Sequence, residues 1–249
     1  MQLHAIPGIP QVQPGDDLSA LLTTALRKAG LSPATGDIII VAQKLISKAE
    51  GRLRRLSEVE PGDQATELAA ATEKDPAIVQ LILDESRSIL RHRPGVIIAE
   101  HRLGMVLANA GIDRSNVNAD NDVVLLFPED PDASAAALKQ SLDQNFDVSV
   151  GIVIADSVGR AWRMGTTGMA IGCAGVSALV NLRGRHDMFG RELEVSEHAV
   201  ADSVASAAEL LMGEADEATP VVILRGLNEG SSTQDCRVLL RPAAEDMFR

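Results

Sequence analysis

Three acidic residues stand at the ends of apolar runs, where a chain can hold a ligand. Asp113 lies in "AGIDRSN" after the run "GMVLANA", Asp156 closes "VSVGIVIAD", and Glu214 follows "SEHAVADSVASAAELLMG". Open sheets place ligands at strand ends. Carboxylates and hydroxyls there suit hard cations, because Mg²⁺ and Mn²⁺ prefer oxygen ligands. Ser157 adds a hydroxyl beside Asp156. A turn residue making an Asx-type bond, a cap on the next element or a solvated loop charge would account for each acid as well.

The stretch "NAGIDRSN", Asn109 to Asn116, crowds short polar side chains behind a strand-like run. A turn uses some of them; a site for a metal ion or a phosphate uses most. Basic residues cluster in two places. "QKLISKAEGRLRR" carries Lys44, Lys48, Arg52, Arg54 and Arg55, while "GRAWR" and "RGRHDMFGR" carry Arg160, Arg163, Arg183, Arg185 and Arg191. Such clusters supply the local positive potential that an anionic ligand needs, and arginine is the better fork for phosphate and carboxylate. A solvated face that balances surface acids would look the same. Histidines offer less. His186 beside Asp187, and His198, expected on a helix, show neither a Ser-His-Asp order nor metal-ligand spacing. Neither common phosphate-cradling loop, GxxxxGK[ST] or GxGxxG, is present.

These residues need elements to hold them. "GDDLSALLTTALRKAG" reads as an amphipathic helix, with Leu18, Leu21, Leu22, Ala25 and Leu26 on one face and Gly30 as the stop. "DIIIVAQK" is a buried strand, which sets Lys48 on the loop beyond its end. "KDPAIVQLILDESRSIL" opens a helix with Asp75 as N-cap and Pro76 at the first helical position. Its stripe runs Ile78, Leu81, Ile82, Glu85, Ile89, so Glu85 interrupts an apolar face. "GVIIAE" and "GMVLANA" flank "HRLG" as a hairpin. "VVLLF", "VSVGIVIAD" and "PVVIL" are strands, "GMAIGCAG" is a strand punctuated by glycines that pack closely on a neighbour, and "ASAAALKQSL" and "SEHAVADSVASAAELLMG" are helices. The irregular alternation predicts a mixed α+β fold rather than a regular doubly wound sheet.

Composition bounds the partners. The chain has 249 residues, 45% of them apolar, enough for a sizeable core without staples. Only 2% are aromatic and the formal net charge is −12, which argues against nucleic acid and against anionic membrane surfaces. No apolar run reaches the length of a membrane span, the N-terminus lacks signal-peptide order, and the cytoplasm is the expected compartment. Cys173 and Cys236, far apart and outside any CxxC, read as small buried thiols in a reducing environment.

Taken in order, "IPGIPQVQPGDDL", "VAQKLISKAEGR", "ANAGIDRSNV", "LFPEDPDASA", "IADSVGRAWRMG", "AIGCAG", "RGRHDMFGREL" and "AAELLMGEADEATPVVILRGL" resemble the coenzyme F420:L-glutamate ligase family, also called F420-0:γ-glutamyl ligase. The resemblance runs from Ile6 to Arg249, with "KLISKAEGR" and "NAGIDRSN" its most specific pieces. It implies an α+β fold with largely antiparallel sheets and packed helices, one domain over residues 1–249 made of two intimately joined parts, and a homodimer. It implies the attachment of L-glutamate by γ-linkage to a deazaflavin precursor, F420-0, with GTP as co-substrate, Mg²⁺ or Mn²⁺, and K⁺ as a helper. An extra flavin-reductase-like domain found in some bacterial relatives is not expected here.

Carried across by motif, the metal ligands fall on Asp113, Asp156, Ser157 and Glu214. Nucleotide contacts fall on Ile9, Pro10, Gln11 and Val12, on Gln43, Lys44 and Lys48, on Asn116, and on the stretch Met212, Gly213, Glu214, Ala215, Asp216, Glu217, Ala218 and Thr219. Ser157 replaces the threonine of many relatives and keeps the hydroxyl; "VGRAWR" replaces the commoner "FGRPWR"; Gln43 and Lys44 sit where relatives vary. The implied mechanism is an acyl phosphate, with Lys48, Asp113 and Asp156 as the catalytic residues. Charge alone makes Arg160, Arg163, Arg183 and Arg185 candidates for the substrate's phosphodiester and carboxylates. Glu85 is the candidate base for the incoming amine.

Overall fold

The computed structural model describes residues 1–117, 120–227 and 232–247; Arg249, where the resemblance ends, lies outside them. In chain order the first elements are β1 (Gln2–Ala5), α1 (Leu18–Lys28), β2 (Ile38–Ala42), α2 (Gln43–Ala49) and β3 (Leu53–Arg55). Next come α3 (Asp63–Thr72), α4 (Pro76–Asp84), β4 (Ser86–Arg93), β5 (Val96–His101), β6 (Val106–Ala108) and β7 (Val123–Leu125). The chain continues through α5 (Pro131–Phe146), β8 (Gly151–Arg160), β9 (Arg163–Ala174), β10 (Leu179–Asn181) and β11 (Glu197–Ala199) to α6 (Val200–Met212) and β12 (Val221–Arg225). The fold is mixed α+β, as its pattern implies.

The centre is a five-stranded sheet in the order β1-β12-β2-β8-β9, antiparallel except where β2 and β8 run parallel. Alternation along its strands separates two cores, since successive side chains point to opposite faces. Ile39, Val41, Ile152, Ile154, Val221 and Ile223 face one core, packed with Leu22 and Leu26 of α1 and Leu138 and Leu142 of α5. Ile38, Ile40, Val153, Val222 and Leu224 face the other, packed with Val200, Val204, Ala205 and Ala208 of α6. The sheet is thus covered on both faces, which explains the unbroken "IIIV" of β2.

Two glycines show why β9 is punctuated. A Cβ at Gly168 would stand 2.5 Å from the Ala205 carbonyl oxygen of α6, and one at Gly172 2.5 Å from the Pro131 backbone of α5. Both helices therefore press directly on the strand. Beside the sheet, α3 and α4 pack on the small sheet β4-β5-β6 around Ala65, Val79, Ile82, Ile97 and Ala99. The expected "HRLG" hairpin is the turn between β5 and β6.

Local signals set most ends. Asp17 caps α1 by accepting the Ala20 N–H at 3.0 Å, and Asp75 caps α4 by accepting that of Ala77 at 2.8 Å, with Pro76 in the first turn. Three expectations need correction. The helix expected through Ile89 stops at Asp84, because Ser86 onward pairs with β5 and forms β4. The strand expected to end on Asp156 continues to Arg160 by pairing with β9. His198 lies on β11, paired with Val180 of β10, so α6 begins only at Val200.

Candidate active site

The parallel pair brings the chemistry together. Ala42, the last residue of β2, stands opposite Ala155 of β8, so Lys44 on the following helix and Asp156 on the strand emerge side by side. They open on a cavity of about 320 Å³. Ile9, Pro10, Gln11 and Val12 form one part of its wall, and Gln43, Lys44 and Lys48 another. Asp113, Ser115 and Asn116 enter from the Asn109–Asn116 loop, Asp156 and Ser157 from β8. Met212, Gly213, Glu214, Ala215, Asp216, Ala218 and Thr219 close it. Glu217 does not line the cavity; its carboxylate accepts the Ala215 N–H at 2.8 Å.

The polar loop is held by its own side chains. Asn109 Oδ1 accepts the Ile97 N–H at 3.2 Å, and Ser115 donates to Asp113 Oδ1 through its backbone N–H at 2.7 Å and its hydroxyl at 2.8 Å. Lys48 is on α2 rather than in a loop, which corrects the sequence reading. Its Nζ donates to the Asn116 carbonyl at 3.0 Å, and Asn116 Nδ2 donates to the Ala215 carbonyl at 2.8 Å. One chain of hydrogen bonds therefore links α2, the polar loop and the loop after α6.

Charge is unevenly balanced here. Lys44 Nζ lies 2.5 Å from Asp113 Oδ2. Burial would raise the Asp113 carboxyl, but Lys44 and the bonds from Ser115 outweigh it and hold the group below its ordinary value. Asp156 is pushed up to about 7, chiefly by burial, with the charges of Asp113 and Glu214 acting in the same direction against Lys44 and the Ser157 N–H. Burial and the charge of Lys44 lower the Lys48 ammonium. Three carboxylates and a hydroxyl make an oxygen-only donor set, and the repulsion felt by Asp156 is what a bound cation would relieve. The residues present fit Mg²⁺ or Mn²⁺. Among the described residues the three acids do not converge within 4.8 Å as ligands of a single ion would.

Glu209 belongs to this region although the sequence reading passed over it. It lines the cavity from α6, one oxygen accepts the Gly168 N–H, and the other is buried without a partner among the described residues. Burial, foremost, and the neighbouring Glu214 carboxylate raise its carboxyl. It sat unseen because a glutamate in "AAELL" reads as the polar side of a helix.

Other candidates fall elsewhere. Arg160 and Arg163 sit at the tip of the β8–β9 hairpin, Arg183 and Arg185 in the loop between β10 and β11; all four are exposed and none lines the cavity. Arg183 pairs with Glu197 at 3.2 Å. Glu85 is not placed to act as a base. It lies outside the cavity and accepts from Arg52 at 2.8 Å and Arg102 at 3.0 Å. Burial would raise it, but His101, Arg52 and Arg102 outweigh burial and hold its carboxyl at about 2, too low to take a proton near neutrality.

The F420-0:gamma-glutamyl ligase family model matches residues 8–226. The chain belongs to this family. It is 42% identical over 251 residues to a coenzyme F420:L-glutamate ligase of Methanothermobacter thermautotrophicus, covering 100% of this chain and 99% of the relative. It is 43% identical to the ligase of that name from Methanopyrus kandleri, over 100% of this chain and 98% of the relative, and 40% identical to that from Archaeoglobus fulgidus, over 100% and 96%. The expected nucleotide- and metal-binding residues that line the cavity come from five separate stretches of chain, which the fold brings to the C-terminal end of the parallel pair β2 and β8.

No helix among the described residues is long and apolar enough to cross a membrane.

Proposed function

We propose that this chain is a GTP- and divalent-metal-dependent ligase that joins L-glutamate, through γ-linkage, to the deazaflavin precursor F420-0 in coenzyme F420 biosynthesis. The observation that carries the reading is the cavity itself: in a member of this family, it gathers Lys44 and Lys48 with the carboxylates of Asp113, Asp156 and Glu214 and the Ser157 hydroxyl within reach of one bound molecule. The relatives' shared name, coenzyme F420:L-glutamate ligase, supports the substrate pair.

An amide cannot form from a free carboxylate and an amine in water without activation. In the proposed sequence the terminal carboxylate of the precursor attacks the γ-phosphorus of GTP, and GDP leaves. The amine of glutamate then attacks the acyl phosphate carbon, loses a proton, and inorganic phosphate departs. Phosphoryl transfer needs alignment and charge neutralisation more than covalent help. Lys48, and with it Lys44, supplies fixed positive charge at the phosphates. Ile9 to Val12, Gln43, Asn116 and the Met212–Thr219 loop would enclose the nucleotide. Asp113, Asp156, Ser157 and Glu214 would hold Mg²⁺ or Mn²⁺, which when bound neutralise and orient the reacting oxygens; two ions suit the spread of these acids, and K⁺ is a further helper cation. Arg160, Arg163, Arg183 and Arg185 offer an exposed positive surface to the substrate's anionic groups.

A homodimer is part of the same reading. The hairpin tip exposes Trp162 and Met164, and the β10–β11 loop exposes Met188 and Phe189, four large apolar side chains that a partner surface would cover. Light scattering at micromolar concentration should report twice the 26.3 kDa of one chain; a 26.3 kDa species alone would refute the dimer.

Product mass tests the reaction. Purified chain, deazaflavin precursor, GTP, Mg²⁺ or Mn²⁺ and glutamate are incubated, and the products weighed. A precursor heavier by a glutamyl residue, with GDP and phosphate formed alongside, is expected. Nucleotide cleaved without glutamate transfer would point to a phosphohydrolase, and an unchanged mixture to a nucleotide-binding regulator.

A further inference from the structure

Two thiols far apart in sequence meet beneath the C-terminal segment. Cys173 lies on β9, and Cys236 opens the 3-10 turn Cys236–Leu239; both are free and buried. Asp132, in the first turn of α5, completes a cluster in which one ligand atom of each residue lies within 4.8 Å of the others. The aspartate is oriented. Its Oδ1 accepts the backbone N–H of Cys173 and that of Cys236, each at 2.9 Å. Its Oδ2 faces Arg237 Nε at 3.9 Å. Cys173 Sγ lies 3.7 Å from the Gln234 carbonyl. A separate cavity of about 90 Å³, lined in part by Asp132, Asp202 and Cys236, opens beside the cluster.

We propose that Cys173, Cys236 and Asp132 bind one divalent cation of the zinc class, at a site distinct from the oxygen-lined cavity, and that the ion fastens the C-terminal segment to β9. Zinc–sulfur bonds of about 2.3 Å and zinc–oxygen bonds of about 2.0–2.2 Å, tetrahedrally arranged, set neighbouring ligand atoms roughly 3.5–3.8 Å apart. The cluster is compact enough for that. The adjoining cavity has room for a water as fourth ligand, since one water needs only about 10–15 Å³. Sulfur ligands select zinc-like ions over Mg²⁺ and Mn²⁺.

The charges balance. The Cys173 thiol and burial push the Cys236 thiol up, so without a metal it stays a thiol. Binding forms two sulfur–metal bonds and releases two thiol protons; no electrons move. Two thiolates, one carboxylate and a dication leave one negative charge. The N-terminus of α5 and Arg237, itself paired with Asp130 at 3.1 Å, are placed to offset it.

The family model's match ends at residue 226, before Cys236, and the cluster stands apart from the oxygen-lined cavity. Val153, opposite Cys173, lies three positions along β8 from Asp156, roughly 10 Å at about 3.3 Å per residue. The tethered turn is also well seated: Leu239 packs on one core and Leu240 on the other.

The test uses the full chain, stripped with a chelator and a thiol reductant, then titrated with Co²⁺ and afterwards Zn²⁺. A sulfur-to-cobalt charge-transfer band should rise to saturation at one Co²⁺ per chain and be bleached by Zn²⁺. Excess Mg²⁺ should leave it intact. Zn²⁺ should also slow iodoacetamide alkylation of both thiols, and Asp132→Asn should weaken Co²⁺ binding about 10-fold or more. Cys173→Ser and Cys236→Ser should each abolish the band. The proposal fails if the wild-type chain gives no such band and Zn²⁺ does not protect its thiols, a readout that stands even if the serine variants do not fold. It fails also if the band survives in Cys236→Ser, or if intact mass shows the two thiols joined as a disulfide in the presence of Zn²⁺.

Discussion

Glu85 and Asp156 are both carboxylates drawn out of water, and their surroundings treat them in opposite ways. Glu85 meets Arg52, Arg102 and the His101 ring, whose Nε2 stands 3.4 Å away. His101 Nδ1 accepts the Leu103 N–H, which leaves the proton of the neutral ring on Nε2, facing Glu85. Arg52 and Arg102 also donate to the carbonyls of Phe127, Pro128 and Glu129. The cluster thus ties the end of α4 to the segment that leads into α5. Asp156 meets Asp113, Glu214 and the single ammonium of Lys44. One carboxyl is held at about 2 and the other pushed up to about 7. Buried charge that is fully partnered braces a fold; buried charge left in excess of one sign asks for a ligand of the other.

The largest expected effect sits on the unbalanced side. Asp156→Ala and Asp113→Ala should each abolish ligation, because even a lost supporting partner of a metal ligand costs about 10–100-fold in metal affinity or activity. Circular dichroism should show both variants folded. Full activity of either at limiting Mn²⁺ would break the comparison.

On the balanced side the loss should be of stability. Glu85→Gln leaves two guanidinium groups facing a neutral amide, and breaking a buried pair costs about 3–5 kcal/mol. Denaturant unfolding near neutral pH should show that loss, with the KM for GTP little changed in the folded fraction. The pH dependence has a definite sign. Glu85 is depressed in the folded state, from an ordinary 4.5 to about 2. Its contribution is therefore complete above about pH 4.5 and is lost as pH falls towards 2. The gap between wild type and Glu85→Gln should close over that window. A gap that persists below it would mean the brace is not electrostatic.

Lys48 comes next in size. Lys48→Ala should weaken GTP binding about ten- to a hundred-fold, the equivalent of roughly 1.5–3 kcal/mol for a charge-assisted contact. Lys48→Arg should restore part of it, since a planar fork is not a point charge. Glutamate-dependent phosphate release from GTP and from ATP, for wild type and both variants, checks this. Equal use of ATP would refute the nucleotide assignment. An unaffected Lys48→Ala would return the lysine to a bracing role on the Asn116 carbonyl.

The two regions also differ in how far the sequence exposed them. Asp113, Glu214, Lys48 and Asn116 sit at or beside the ends of elements, Asp156 and Ser157 where the apolar run of β8 turns polar within the strand, and polar residues that close or interrupt apolar runs are visible in one dimension. That they share a cavity follows from the parallel pairing of β2 with β8, which the pattern does not specify. Glu85 was misread because its partners, Arg52 and Arg102, are distant in sequence, and because helical spacing continued by chance across the junction of α4 and β4. The same blindness to distant pairs hid Asp37, 2% exposed at the start of β2 and bound by Arg225 at 2.6 Å, and the meeting of Cys173 with Cys236. Glu209 was missed for another reason: its helix face looks solvated until β9 is laid against it.

Mn²⁺ titration of wild type, Asp156→Asn and Glu85→Gln, by calorimetry and with melting temperatures taken before metal is added, tests the contrast most directly. Asp156 is raised in the folded state above its ordinary 3.8, so the metal-free fold loses stability as pH rises from there to about 7 and does not regain it above. Asparagine removes that cost. At pH 8 the account predicts that Asp156→Asn binds Mn²⁺ about 10-fold or more weakly yet melts about 2–4 °C or more above metal-free wild type, while Glu85→Gln binds Mn²⁺ normally and melts lower. Unchanged Mn²⁺ affinity in Asp156→Asn, together with a lower melting temperature, would contradict it.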